Sequence, residues 1–428
     1  MRIVYITAGA GGMYCGNCLR DNTLAAALIR QGHDVTLVPL YTPIRTDETN
    51  VSLDQVFYGG LNVYLQQRLS LFRHTPRLLD GVLDAPGLLR WISRFAIDTD
   101  PHLLGALTLS VLEGEEGRQQ KELRRLTEWL GRKPQPQLVH LTNSLLAGLA
   151  RKIKSSLNVP VLCALQGEAV FLEGLPEPYR GKALEVLRKR AADIDAFIAP
   201  SRTYADRMAG FLDVPRKRIH VVYPGLELDG HGEAKANPGG DFTIGYMARI
   251  GPDKGLHTLV DAFRILRQSE KSVRCRLRVA GYLGKENLSY LEKLQARIRE
   301  WGLAEDFEYI GSIDRKRKID FIQGLDVLSV PTAYAAPKGL YVLEAWANGV
   351  PVVEPRHGSF PEFIETSGGG LLFEPGNAED LAAGLRRLIE DRAYAAALGQ
   401  KGRAAVQKVF NATTMAKETS ANYSRYSS

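Results

Sequence analysis

Arg249 and Lys254 stand in the stretch Gly245-Tyr246-Met247-Ala248-Arg249-Ile250-Gly251-Pro252-Asp253-Lys254-Gly255, which follows an apolar run and opens a helical pattern through Leu259 and Phe263. An arginine grips a diphosphate bidentately and a lysine neutralises it as a point charge, so two such cations in the turn after a strand suit that ligand. Further on, Glu344 sits about one turn into a helix and could accept both hydroxyls of a ribose. Its neighbours Leu343, Ala345 and Trp346 argue for a covered helix rather than a solvated face. Near the start, Ala8-Gly9-Ala10-Gly11-Gly12-Met13-Tyr14-Cys15-Gly16-Asn17 runs from a strand into a helix. Glycines there admit a phosphate to backbone N–H groups and to the positive end of the helix dipole. A dinucleotide fingerprint would need glycine where Tyr14 stands, and an acid after the second strand, which instead ends Pro39-Leu40-Tyr41. The lysine of a nucleoside-triphosphate loop is missing as well. Cys15 and Cys18 form one C-x-x-C with no second pair and no nearby histidine, too little for a structural zinc site.

The elements that must position these residues alternate along the chain as short apolar runs and helical stretches, which argues α/β with parallel sheets. In the first half the expected strands are Ile3 to Thr7, Val35 to Leu40, Leu138 to Leu141, Val159 to Leu165 and Ala196 to Pro200. A long helical excursion carrying many arginines fills Gly60 to Gly131. Glycines and prolines between Tyr223 and Asp241 read as a linker. A second series follows at Phe242 to Met247, Leu277 to Gly281, Phe307 to Gly311, Val327 to Pro331, Val350 to Val353 and Leu371 to Phe373. The 428 residues exceed what one core usually serves, so two doubly wound domains are expected, with ligands beyond the carboxyl ends of the strands. Composition is that of a globular enzyme, with 45% apolar and 24% charged residues. No apolar run is long enough to span a membrane. The N-terminal residues read as a buried strand rather than a signal peptide, and four scattered cysteines suit a reducing compartment, so the expected location is cytoplasmic. The net charge of +7 would suit a phosphorylated substrate or peripheral contact with an anionic membrane, while no nucleic-acid module accompanies it.

Three further segments complete an ordered set: Val330-Pro331-Thr332-Ala333-Tyr334-Ala335-Ala336-Pro337-Lys338-Gly339-Leu340 ahead of the Glu344 helix, Gly349-Val350-Pro351-Val352-Val353 after it, then Gly368-Gly369-Gly370. In that order the chain resembles the family-4 glycosyltransferases, whose donor domain reads G-R-L-x-x-x-K-G, P-S, E-G-F-G-L, L-E-A, G-x-P-V-V and G-G-x-x-E. The resemblance implies a retaining, metal-independent enzyme of the GT-B fold: two Rossmann-like domains facing each other across a cleft, an acceptor-side domain over 1–225, a donor-binding domain over 241–410, and a helix over 411–428 returning to the first. It implies a nucleoside diphosphate sugar as donor, no resident cofactor, and a sugar, glycan or lipid-linked acceptor. By the same likeness Arg249 and Lys254 hold the diphosphate and Glu344 the ribose. Gly339 and Leu340 end the loop whose N–H groups reach sugar and phosphate, Gly311 lies beside the base, and Gly11 and Gly12 lie near the phosphates. The chain departs from the pattern at three places. Ala336 replaces the first glutamate of E-x7-E, Pro337 removes a loop N–H, and Gln166 stands where a histidine is usual. Lys338, Gln166 and Glu168 are candidates for the contact that Ala336 cannot make. Two other classes stay open on these departures: a donor-binding protein without turnover, and a sugar-nucleotide epimerase or hydrolase.

Overall fold

The computed structural model describes residues 1–9, 16–58, 101–132, 134–232, 240–268 and 274–427. Gly11, Gly12 and Cys15 lie outside them, as does the expected excursion up to residue 100. Beyond that point the excursion is helical, at Pro101–Glu113 and Gln120–Arg132. The chain divides into two compact units, one of Met1–Tyr223 with Ala412–Ser428, the other of Pro224–Asn411.

In the first unit β1 (Arg2–Thr7), β2 (Asp34–Pro39), β3 (Leu138–Leu141), β4 (Val161–Ala164), β5 (Ala196–Ala199) and β6 (Ile219–Val221) form one parallel sheet in the order β2-β1-β3-β4-β5-β6. Apolar residues on both faces make such strands nearly continuous hydrophobic runs, and helices must cover each side. Ile3 and Tyr5 of β1 pack with Leu24 and Leu28 of the helix Gly16–Arg30 and with Met415 and Tyr423 of the last helix, Ala412–Ser424. The alternate residues Val4 and Ile6 face Leu126, Ile153 and Leu187, as the two-residue period of a strand requires.

The second unit repeats the plan with β7 (Phe242–Met247), β8 (Cys275–Ala280), β9 (Phe307–Tyr309), β10 (Val327–Leu328), β11 (Val352–Pro355) and β12 (Gly370–Phe373) in the order β12-β11-β10-β7-β8-β9, again parallel. The helix Leu256–Gln268 lays Leu259 and Phe263 against Ile244 and Val279. Burying Phe263 alone contributes about 1.5–3 kcal/mol. Two differences from the expected strands have physical causes. β6 lies beyond Arg216-Lys217-Arg218 and is interrupted by His220, so its short run carried no apolar signal. β10 stops at Leu328 because Val330 N–H turns to Glu354 Oε1 and Pro331 has no N–H to pair.

Candidate functional site

The turn after β7 is held from several directions. Ile250 N–H donates to Tyr282 O at 2.8 Å, and Ala333 N–H donates to Asp253 O at 2.9 Å. The buried Tyr246 hydroxyl lies 3.3 Å from Arg249 O and 3.4 Å from Lys254 O. Gly255 adopts φ +70°, and a Cβ there would stand 1.7 Å from Pro331 O, so only glycine lets the turn and the loop after β10 approach this closely. Arg249 pairs through Nη2 with Asp253 Oδ2 at 2.7 Å, with both side chains more than a third exposed. Lys254 carries its ammonium over the Tyr334 ring, 4.7 Å from the centroid, and donates to the Tyr334 hydroxyl. Both cations therefore rest on partners of modest strength, as exposed pairs do.

The loop after β10 is fastened on its other side to the turn Arg356 to Ser359. His357 Nε2 lies 2.9 Å from Thr332 O, Ser359 N–H donates to Ala336 O at 2.9 Å, and Ser359 Oγ donates to Pro337 O at 2.5 Å. Gly358, at φ +61°, lies so near that a Cβ would meet Ala336 O at 2.4 Å. Ala336 itself is buried. Gly339 then forms the N-cap of the helix Leu340–Ala347 without a side-chain cap. Such an end leaves backbone N–H groups and the positive end of the helix dipole for a ligand. Within that helix Glu344 is buried and pairs through Oε1 with Lys318 Nζ at 2.5 Å. Gly311, after β9 and at φ +75°, accepts Gly281 N–H at 2.9 Å and faces open space where a Cβ would be.

Arg249, Lys254, Gly311, Gly339, Leu340 and Glu344 thus come from the carboxyl ends of β7, β9 and β10, the edge where open α/β sheets hold ligands. Gln166 is placed differently. Its Nε2 donates to Asp21 Oδ1 at 2.9 Å, Thr142 O at 2.8 Å and Thr142 Oγ1 at 2.9 Å inside the first unit. Glu168 accepts Ser144 N–H, Ser144 Oγ, Gln166 N–H and Gly167 N–H. Both side chains thus tie the loop after β4 to the segment after β3, and Gln166 also ties it to the helix Gly16–Arg30. Tyr334 and Lys318 were not legible as partners of the site residues. Lys318 ends the run Arg315-Lys316-Arg317-Lys318, which as sequence is an ordinary solvated face.

Under the loop lies a buried carboxyl. Glu354 on β11 is fully buried, accepts Val330 N–H at 3.1 Å and lies 3.2 Å from the Tyr341 hydroxyl. Burial pushes its carboxyl well above the usual range, outweighing the opposing effect of those two bonds. The folded state therefore keeps a proton that the unfolded chain releases near pH ~4.3, and stability falls as pH rises from there toward the folded value. Glu354→Gln preserves the shape and removes the ionisation. Its stability advantage over the parent should widen as pH rises above about 4.3 toward the folded value, by about 1.4 kcal/mol for each unit. Melting curves across that range check this, and parallel curves for the two proteins would mean the carboxyl ionises without cost.

Residues 231–405 match the family described as Glycosyl transferases group 1, and residues 22–225 match the family described as Glycosyl transferase 4-like domain. The chain is 24% identical over 239 residues to mannosylfructose-phosphate synthase of Agrobacterium fabrum, covering 52% of this chain and 51% of that protein. It spans about half the length of the curated relatives it matches. Among solved structures, sucrose-phosphate synthase from Thermosynechococcus elongatus superposes with a TM-score of 0.72 at 18% identity, covering 99% of this chain and 98% of that one. HepE of Anabaena, solved in complex with UDP, superposes with a TM-score of 0.69 at 16% identity, covering 99% of this chain and all of that one. At such identities the likeness is one of fold. No helix among the described residues is long and apolar enough to cross a membrane.

Proposed function

Because this chain belongs to the family-4-like glycosyltransferases of the GT-B fold, we propose that it transfers a sugar from a nucleoside diphosphate sugar to a hydroxyl of an acceptor, with retention of anomeric configuration. The observation that carries this reading is the joint of two loops: the Arg249 and Lys254 turn locked at Gly255 against the segment that leads to Gly339 and the Glu344 helix. In the proposal Arg249, Lys254 and the N–H groups at Gly339 and Leu340 stabilise charge on the departing diphosphate, usually the largest catalytic contribution. Glu344 accepts the ribose hydroxyls, and Gly311 leaves room for the base. These groups belong to the chain itself, so the scheme requires neither metal nor cofactor. UDP is the first donor nucleotide to try, since HepE was crystallised with it. Cys163 and Cys275 are buried thiols, which suits the cytoplasm as the site of action. The test is proton NMR of the chain with UDP-, GDP- and ADP-sugars and a panel of sugar, polyol and lipid-linked acceptors. A new glycosidic anomeric signal of the donor's own configuration is the expected result; no product with any pair, or an inverted one, would refute it.

Ala336 favours a second reading, a donor-binding protein with weak or no turnover. Of the side chains that could replace the absent glutamate, Gln166 donates to Asp21 and Thr142 and Glu168 accepts from Ser144, Gln166 and Gly167, while Lys338 stands two residues from Ala336. If the site is weakened there, Ala336→Glu should raise kcat/KM about 10-fold or more, since one charged hydrogen bond made at the reaction centre is worth a decade of rate. Nucleotide affinity should barely change. Lower activity in the variant would mark alanine as a specialised residue of an efficient enzyme.

A further inference from the structure

We propose that Tyr282, on the loop after β8, is the platform on which the base of the bound nucleotide stacks, so that the chain holds a nucleoside diphosphate by its base as well as by its diphosphate. The inference rests on the nucleotide reading given above. β7 and β8 keep one register past their ends: Phe242 lies beside Cys275, Met247 beside Ala280 and Ile250 beside Leu283. That register sets Arg249 directly opposite Tyr282. Ile250 and Leu283 turn inward to the core that holds Leu259 and Leu291, so the two-residue period sends Arg249 and Tyr282 to the other face of the sheet. On that face Arg278 of β8 lies over the Phe321 ring, 5.3 Å from its centroid. Phe321 belongs to the helix Arg315–Gln323, whose Lys318 pairs with Glu344. Arg249, Tyr282 and Glu344 therefore serve one face of the second unit.

The order of strands adds a direction. They run β10-β7-β8-β9, so the loop that ends at Gly339 stands on one side of Arg249, and Tyr282 stands on the other, toward Gly311. A nucleoside diphosphate sugar gripped at its diphosphate extends its sugar one way and its nucleoside the other. Gly311 faces open space where a Cβ would be, which gives a flat ring room beside Tyr282. The Tyr282 side chain is well exposed, at 48% for the residue, yet its backbone is fastened. Its carbonyl accepts Ile250 N–H at 2.8 Å, while Gly281 N–H donates to Gly311 O at 2.9 Å and Gly281 O accepts the Tyr309 hydroxyl at 3.0 Å. A single exposed aromatic is ordinary on a protein surface. This one is mounted on a fixed frame between a cation suited to phosphate and an open place beside the next strand. Stacking there needs no hydrogen bond to a base edge, because every base presents a π face.

Calorimetry and proton NMR of the whole chain with UDP, GDP and ADP test the stack. The base protons of each nucleotide that binds should move upfield in the ring current of Tyr282. Tyr282→Phe should keep that shift and bind within about 3-fold of the parent. Tyr282→Ala should lose the shift and bind about 10-fold more weakly, a loss within the range of one base stacked on one aromatic ring. Without nucleotide the alanine variant should melt as the parent does, since an exposed side chain away from the core contributes little to folding. Should it fail to fold, Tyr282→Leu, which keeps an apolar side chain and removes the ring, must lose the shift instead. A ring-less variant that keeps the shift, or an alanine variant with the parent's affinity, would overturn the inference and leave the functional reading standing. A parent that binds none of the three nucleotides would overturn the functional reading itself, and this inference with it.

Discussion

Arg249→Ala and Lys254→Ala are each expected to weaken nucleoside diphosphate binding by about 2–5 kcal/mol, the cost of removing one partner from a charged contact that becomes buried. In the ligand-free chain neither cation is committed strongly. The Arg249–Asp253 pair and the Lys254–Tyr334 contact are both partly solvated, and exposed pairs of this kind contribute about 0–1 kcal/mol to stability. A diphosphate would exchange them for shorter charge-assisted bonds in a drier setting, where the same charges attract more strongly. Folding should therefore survive both substitutions while binding does not. Melting temperatures close to the parent's, with affinities reduced by a factor of about 30 or more, make up the expected pattern in calorimetry. Unchanged affinity in both variants would remove the clamp from the account.

The second large effect falls on stability. Asp21 is fully buried in the helix Gly16–Arg30, and its carboxylate accepts the Tyr5 and Thr142 hydroxyls, the Thr7 hydroxyl at 2.8 Å and the Gln166 amide at 2.9 Å. Arg20, also buried, lies 3.4 Å away through Nη1. One carboxylate thus binds the carboxyl ends of β1 and β3, the loop after β4 and the first turns of the helix. Asp21→Ala strands those donors and leaves Arg20 without its counter-charge, which should cost about 3–5 kcal/mol. Asp21→Asn keeps the shape but not the charge and should cost about 1.5–3 kcal/mol. Chemical denaturation of the three proteins measures both, and an alanine variant within about 1 kcal/mol of the parent would mean that the cluster is dispensable.

The sequence foretold the two parallel sheets because most of their strands are short apolar runs between helical stretches, a signal that needs no partner to be recognised, whereas β6 lacked it. Arg249, Lys254 and Glu344 were legible for a similar reason, since each stands at a set place after a strand or within a helix. What pairs with them was not. Tyr334 meets Lys254 across 80 positions of chain, and Lys318 becomes a buried cation only when its helix docks beside Glu344. Gln166 illustrates the converse. Its position after β4 suggested contact with a sugar, and local pattern gave no sign that its Nε2 donates to Asp21 and Thr142, residues brought to it by the order of strands in the sheet. Local pattern locates a group on an element, whereas burial and partners arise from packing between distant elements.

The central claim, that the second unit is built to hold a nucleoside diphosphate, is tested most directly by melting the whole chain with UDP, GDP or ADP. The parent should be stabilised by at least one of them, by about 2.7 kcal/mol at 100 times its Kd, and Lys254→Ala should lose that gain at the same concentration. If none of the three nucleotides raises the melting temperature of the parent, or if Lys254→Ala is stabilised as strongly as the parent, the account is contradicted.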